Sequence, residues 1–138
     1  YINNKNNVFL KMDIEGAEWE YFANIPYPIL SKFKQIVIEF HFPFTENHFK
    51  VLNKITSTHY LIHYHANNNN QVVYNIQNVS IPAVFECTYI RKDCCKKLGL
   101  NKQPFPTDLD YSNTTSKPEY KIDYPPFCHN YRNNGNKN

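Results

Sequence analysis

Apolar and polar positions fall into short blocks along this chain, and the blocks switch between two periods. Val8-Phe-Leu-Lys-Met-Asp-Ile14 is short, β-prone and largely apolar, which predicts a buried strand. The chain turns at Asp13-Ile-Glu-Gly16, and Ala17-Glu-Trp-Glu-Tyr-Phe-Ala23 predicts a helix that Pro26 and Pro28 break. Gln35-Ile-Val-Ile-Glu-Phe-His41 predicts a second buried strand, closed by Pro43. Thr45 is a candidate N-cap for a helix to about Thr56, with Phe49, Leu52 and Ile55 on one face. Tyr60 to His65 reads as a third strand running into an asparagine loop, and Gln71 to Tyr74 as a short hairpin arm. Pro82 introduces a fourth main strand, Val84-Phe-Glu-Cys-Thr-Tyr-Ile90, which stops at Arg91-Lys-Asp93. Strands alternating with helices predict a mostly parallel α/β sheet, with the final pair adding an antiparallel edge.

From Gln103 onward the pattern is lost. Five of the nine prolines lie there, with Phe105, Tyr111, Tyr120, Tyr124 and Phe127 spaced between them. The expected division is an α/β unit over 1–102 and an irregular Pro-, aromatic- and Asn-rich tail over 103–138 packed on it, its last eight residues disordered. At 138 residues a single domain with a real core is the prior. The chain opens on Tyr1 rather than Met and enters a strand by Val8, so it is expected to be the back part of something longer.

Composition removes several function classes. A net charge of +3 is too mild to point to nucleic acid or an anionic membrane. No apolar run approaches the roughly 18–20 residues of a bilayer-spanning helix, and no signal peptide precedes Val8, so a cytoplasmic location is expected. Asparagine is over-used, with four in the first seven residues and a run over 67–70, which fits an A- and T-rich coding sequence better than a function. Cys87, Cys94, Cys95 and Cys128 include no C-x-x-C pair, and free thiols are the default.

The chemistry concentrates in Lys11-Met-Asp-Ile-Glu-Gly-Ala-Glu18. Asp13 ends an apolar strand, where open α/β sheets place their ligands and where a carboxylate is costly without a partner. Gly16 allows a sharp turn into a helix whose amides favour an anion or a polar ligand. Glu15 and Glu18 also suit a first helical turn. His65, at the end of the third strand, can accept a proton from a hydroxyl, whereas His63 shares its face and is expected to be only packed or solvated. Glu39, buried on the second strand, demands a partner, which His41 or Lys11 could supply. Asn67 and Asn68 could bind a polar substrate. Asp13, Glu39, His41 and His65 supply metal-ligand types, but their spacing enforces no site and no metal is expected. Glu86 and Thr88 read as structural.

The run Leu10-Lys-Met-Asp-Ile-Glu-Gly-Ala-Glu-Trp19, followed by Ile36-Val-Ile-Glu-Phe-His41, resembles the FkbM-type methyltransferases that use S-adenosylmethionine. His65-Ala-Asn-Asn68, the Ile81-Pro-x-Val-x-Glu-x-Thr-Tyr89 pattern and Phe105-Pro-Thr-Asp-Leu-Asp-Tyr-Ser-Asn113 are similar to segments of a subgroup of that family, so the resemblance spans roughly residues 8 to 113. It implies a partial Rossmann-like methyltransferase sheet, strands four to seven with the last antiparallel, and O-methylation of a hydroxyl on a small molecule or glycan. Asp13 and His65 become the catalytic candidates, Asp13, Glu15 and Gly16 the cofactor contacts, and His41, Asn67 and Asn68 the substrate contacts. The family's Gly-rich loop and ribose-binding acid have no counterpart, since the only glycines are Gly16, Gly99 and Gly135. Two alternatives therefore stand beside the enzyme: a truncated or split fragment needing a missing N-terminal half or a second copy, and a small metal-binding domain.

Overall fold

The computed structural model describes residues 6–42, 44–76 and 78–129, so Pro43 and the expected disorder of the last eight residues lie outside the described residues. The chain is mixed α/β, with a four-stranded mixed sheet and a two-stranded antiparallel one.

Strand β1 spans Val8–Met12 and leads through a tight loop to α1, Glu18–Asn24. Ile25, ahead of Pro26, takes an extended ψ of 130°, as the ring of a following proline demands, and the helix ends there. Pro26 and Pro28 do more than break it. They seat a short helix α2, Tyr27–Leu30, with a proline in its first turn, where a missing N–H costs nothing. Strand β2 follows over Phe33–His41, then α3 over Glu46–Thr58. Thr45 caps α3 reciprocally, its own N–H donating to His48 Nδ1 at 2.8 Å. Strand β3, His59–Ala66, is followed by a hairpin of β4, Val73–Ile76, and β5, Val79–Pro82, and then by β6, Val84–Arg91.

The sheet order is β1-β2-β6-β3. Strand β1 runs parallel to β2, and β6 runs antiparallel to both β2 and β3. The last strand is antiparallel but it is not an edge. It inserts between β2 and β3, because alternating Phe85, Cys87 and Tyr89 are buried and need covered neighbours on both sides. The edges are β1 and β3. Strand β1 is accordingly half covered rather than buried, with Phe9 61% exposed.

Register divides the sheet into two unlike faces. One carries Ile36, Ile38, Phe40, Phe85, Cys87, Tyr89 and Tyr64 and holds the core. Helices α1 and α3 cover it, with Trp19 stacked on Phe40 at 4.3 Å and on His48 at 4.3 Å. The other carries Glu39, Glu86 and His65 in one cross-strand row, and Thr88 and His63 in the next.

Among the described residues, the segment after β6 has no helix or strand beyond a short 3₁₀ turn, Lys92–Cys94, and one bridge between Phe105 and Ile122. It wraps the β3 edge. Phe105 touches both His63 and Tyr64, which lie on opposite faces, and Phe127 packs on Tyr64 at 4.4 Å. Phe105, Ile122 and Cys128 are buried. All four cysteines are unpaired, and burial pushes the Cys87 thiol up to about 12.

Candidate functional site

Parallel β1 and β2 end side by side, and their carboxyl ends bring Asp13, Glu15, Glu18 and His41 together. Strand β1 stops at Met12. Glu15 then takes a left-handed φ of 56° and Gly16 one of 103°, so two successive residues reverse the chain into α1. A Cβ at Gly16 would meet nothing within 4 Å, so glycine serves the backbone angle there rather than a close approach.

Glu18 holds this loop. Its side chain is fully buried, Oε1 accepting from the Ile14 N–H at 2.7 Å and Oε2 from the Gly16 N–H at 2.9 Å. A negative group at the start of a helix was legible in the sequence, but this folding back onto the loop was not, because it depends on the reversed backbone at Glu15 and Gly16. The Gly16 amide, expected to serve a cofactor, is occupied internally.

His41 sits at the end of β2, its carbonyl accepting from Trp19 Nε1–H at 2.7 Å. The ring faces carboxylates on both sides. Nδ1 lies 3.4 Å from Glu18 Oε1, and Nε2 lies 3.5 Å from Glu15 Oε2 and 4.0 Å from Asp13 Oδ1. Nδ1 is buried and makes no aligned hydrogen bond. Among the described residues, His41 is the only basic side chain in ion-pair range of these three carboxylates. One ligand atom from each of Asp13, Glu15 and His41 falls within 4.8 Å of the others.

Glu39 lies next along the face, buried, and burial pushes its carboxyl above the ordinary range, reinforced by the neighbouring charge of Asp13. Its partner is neither His41 nor Lys11 but Asn67, whose Nδ2 donates to Oε1 at 2.6 Å and so opposes that rise.

His65 stands apart. It is 6% exposed, on β3, with β6 and β2 between it and β1. At about 4.8 Å per strand that is roughly 14 Å from Asp13 across the sheet, too far for both to touch one reacting hydroxyl. Its Nε2 lies 3.5 Å from Glu119 Oε2 without an aligned hydrogen bond. His63 is packed, bonding Asp110 at 2.7 Å and meeting Phe105 edge-on. Asn68 is fully buried and committed to the tail. Its amide donates to Ser112 Oγ, Thr114 O and Lys117 O, and its carbonyl accepts from the Thr114 N–H. It has nothing to offer a substrate. Neither Glu119 nor Asp110 was found by sequence reasoning, since they reach β3 from about 50 residues away with no periodic signal.

Two of the cavities among the described residues lie beside β3 and α3. A groove of about 850 Å³ runs along β3 past Tyr60, His63, Lys97 and Phe105, and an apolar space of about 340 Å³ lies beneath α3 and the hairpin. Neither is lined by Asp13, Glu15 or His41. No helix among the described residues is long and apolar enough to cross a membrane. No protein-family model, curated protein or solved structure matches this chain.

Proposed function

We propose that this chain is the C-terminal portion of an S-adenosylmethionine-dependent methyltransferase of the FkbM type, acting on a hydroxyl such as that of a sugar. The observation that carries the reading is the anionic cluster of Asp13, Glu15 and His41 at the carboxyl ends of adjacent parallel strands, inside the segment that bears the resemblance. Open sheets bind ligands at that end. The strand directions support it too: of the four main strands, only the last in chain order opposes the others.

The residues present do not make up a whole cofactor site. The loop amides of Ile14 and Gly16 are bound to Glu18, and no Gly-rich turn exists to receive the rest of the molecule. No transfer step is therefore assigned to this chain alone. Its contribution is the end of the site where the sulfonium and the acceptor hydroxyl would meet. Asp13, Glu15 and His41 present oxygen and nitrogen lone pairs to a hydroxyl, Glu18 fixes the ring that faces it, and Asn67 holds the neighbouring Glu39 in place. His65 leaves the catalytic set and becomes a contact to the tail.

The remaining strands of such an enzyme would pair with β1, whose outer edge has no partner among the described residues and whose Phe9 side chain is exposed. The same edge favours the second reading, a non-catalytic piece completed by another chain.

Titration calorimetry separates them. An anionic cluster prefers the sulfonium cation of S-adenosylmethionine to the neutral thioether S-adenosylhomocysteine. The expected result is weak binding, about millimolar for an incomplete site, tighter for the sulfonium and lost in Asp13→Asn. A folded chain that binds neither compound favours the second reading, a non-catalytic piece completed by another chain.

A further inference from the structure

We infer that Asp13, Glu15 and His41 form a binding site for a divalent metal cation, independently of any methyltransferase role. Each residue offers one donor atom, and the three atoms lie within 4.8 Å of one another, close enough to surround a single ion at ordinary ligand distances of about 2.0–2.3 Å.

The arrangement of His41 points to what occupies that space. Its ring is 17% exposed and packed between two sets of carboxylates. The buried Glu18 Oε1 faces Nδ1, and because both Glu18 oxygens already accept backbone N–H groups, Glu18 acts on the ring from behind and is not itself a ligand. Nδ1 lies 3.4 Å from Glu18 Oε1 with no aligned hydrogen bond, while Nε2 lies 3.5 Å from Glu15 Oε2 and 4.0 Å from Asp13 Oδ1. A carboxylate behind the imidazole and a cation ahead of it is the usual support of a metal-binding histidine.

The ligand set is mixed. Two carboxylates and one imidazole suit Mn²⁺ and its first-row neighbours better than Ca²⁺, which takes oxygen alone. Asp13 and Glu15 are largely exposed, so the remaining coordination positions open to water or to a hydroxyl. Such an ion would bind that hydroxyl directly and ease loss of its proton.

The test uses Mn²⁺ alone with the intact chain, following loss of the free-ion electron paramagnetic resonance signal at pH 8. One site is expected, weakened about tenfold or more by Asp13→Asn and by Glu15→Gln. Both side chains are exposed, and circular dichroism checks that the fold is kept. Glu20→Gln, on the exposed side of α1, should bind as the parent does. Bound Mn²⁺ should broaden the amide resonances of Ile14, Gly16 and Phe42 first. A parent chain that leaves the free signal unchanged up to about 1 mM overturns the site. Binding that is equal in both variants overturns it as well, by placing the ion elsewhere.

Discussion

The Glu18 carboxylate is spent within its own loop, and that single side chain decides what its neighbours can do. It satisfies the amides of Ile14 and Gly16 and sits behind the His41 ring, so the expected anion-type loop is closed to ligands and the cluster is left open at the Asp13 and Glu15 side. A hydrogen bond to a charged group contributes about 1.5–3 kcal/mol. Glu18→Gln keeps the shape but loses the charge and can accept with one oxygen only. It should lower unfolding stability by about that amount in urea titrations and shift the Ile14 and Gly16 amide resonances. A change within experimental error would mean the loop is held by its backbone alone. What the sequence made legible at this scale was the identity of Asp13, Glu15 and His41 as chemically charged positions. Their convergence was not legible, since it requires two left-handed residues in succession, one of which is not glycine.

At the scale of elements, the segment from Phe105 to Glu119 straps β3 through two imidazole–carboxylate contacts, His63 with Asp110 and His65 with Glu119. Burial opposes the Asp110 charge, but the Thr107 N–H and hydroxyl and the His63 ring outweigh it and hold the carboxyl below its ordinary value. A folded-state value below the unfolded one, about 3.9, adds stability above that pH which is lost as the pH falls through the folded value. Stability should therefore drop on acidification below about pH 4, and Asp110→Asn should flatten that part of the curve. An unchanged acid limb would contradict the strap. The main strands and α3 were readable because their apolar blocks match a strand or a helix face, although β1 is only half covered. The place of β6 was not, because alternating apolar residues fit an edge or a centre equally, and only the covering of both its sides decides between them. Nor was α2, since Pro26 and Pro28 stop one helix and start the next with the same chemistry.

For the whole molecule, the tail folds over the β3 edge onto both faces, Phe127 packing on Tyr64 on the apolar one and Asp110 and Glu119 meeting His63 and His65 on the polar one. Asn68 locks it, and Asn68→Ala should cost about 1–3 kcal/mol for each buried group left unpaired, seen as a lower urea midpoint. An unshifted midpoint would mean the tail rests on the domain without stabilising it. The carboxyl ends of β1 and β2 are left polar, anionic and open, and the proposed site lies there. Its most direct check is nuclear magnetic resonance of the ¹⁵N-labelled chain during titration with S-adenosylmethionine. The account predicts shifts concentrated at Asp13–Glu18 and Glu39–Phe42, fading in Asp13→Asn. Shifts confined to the β3 groove around His63 and Phe105, or none at all, would contradict it.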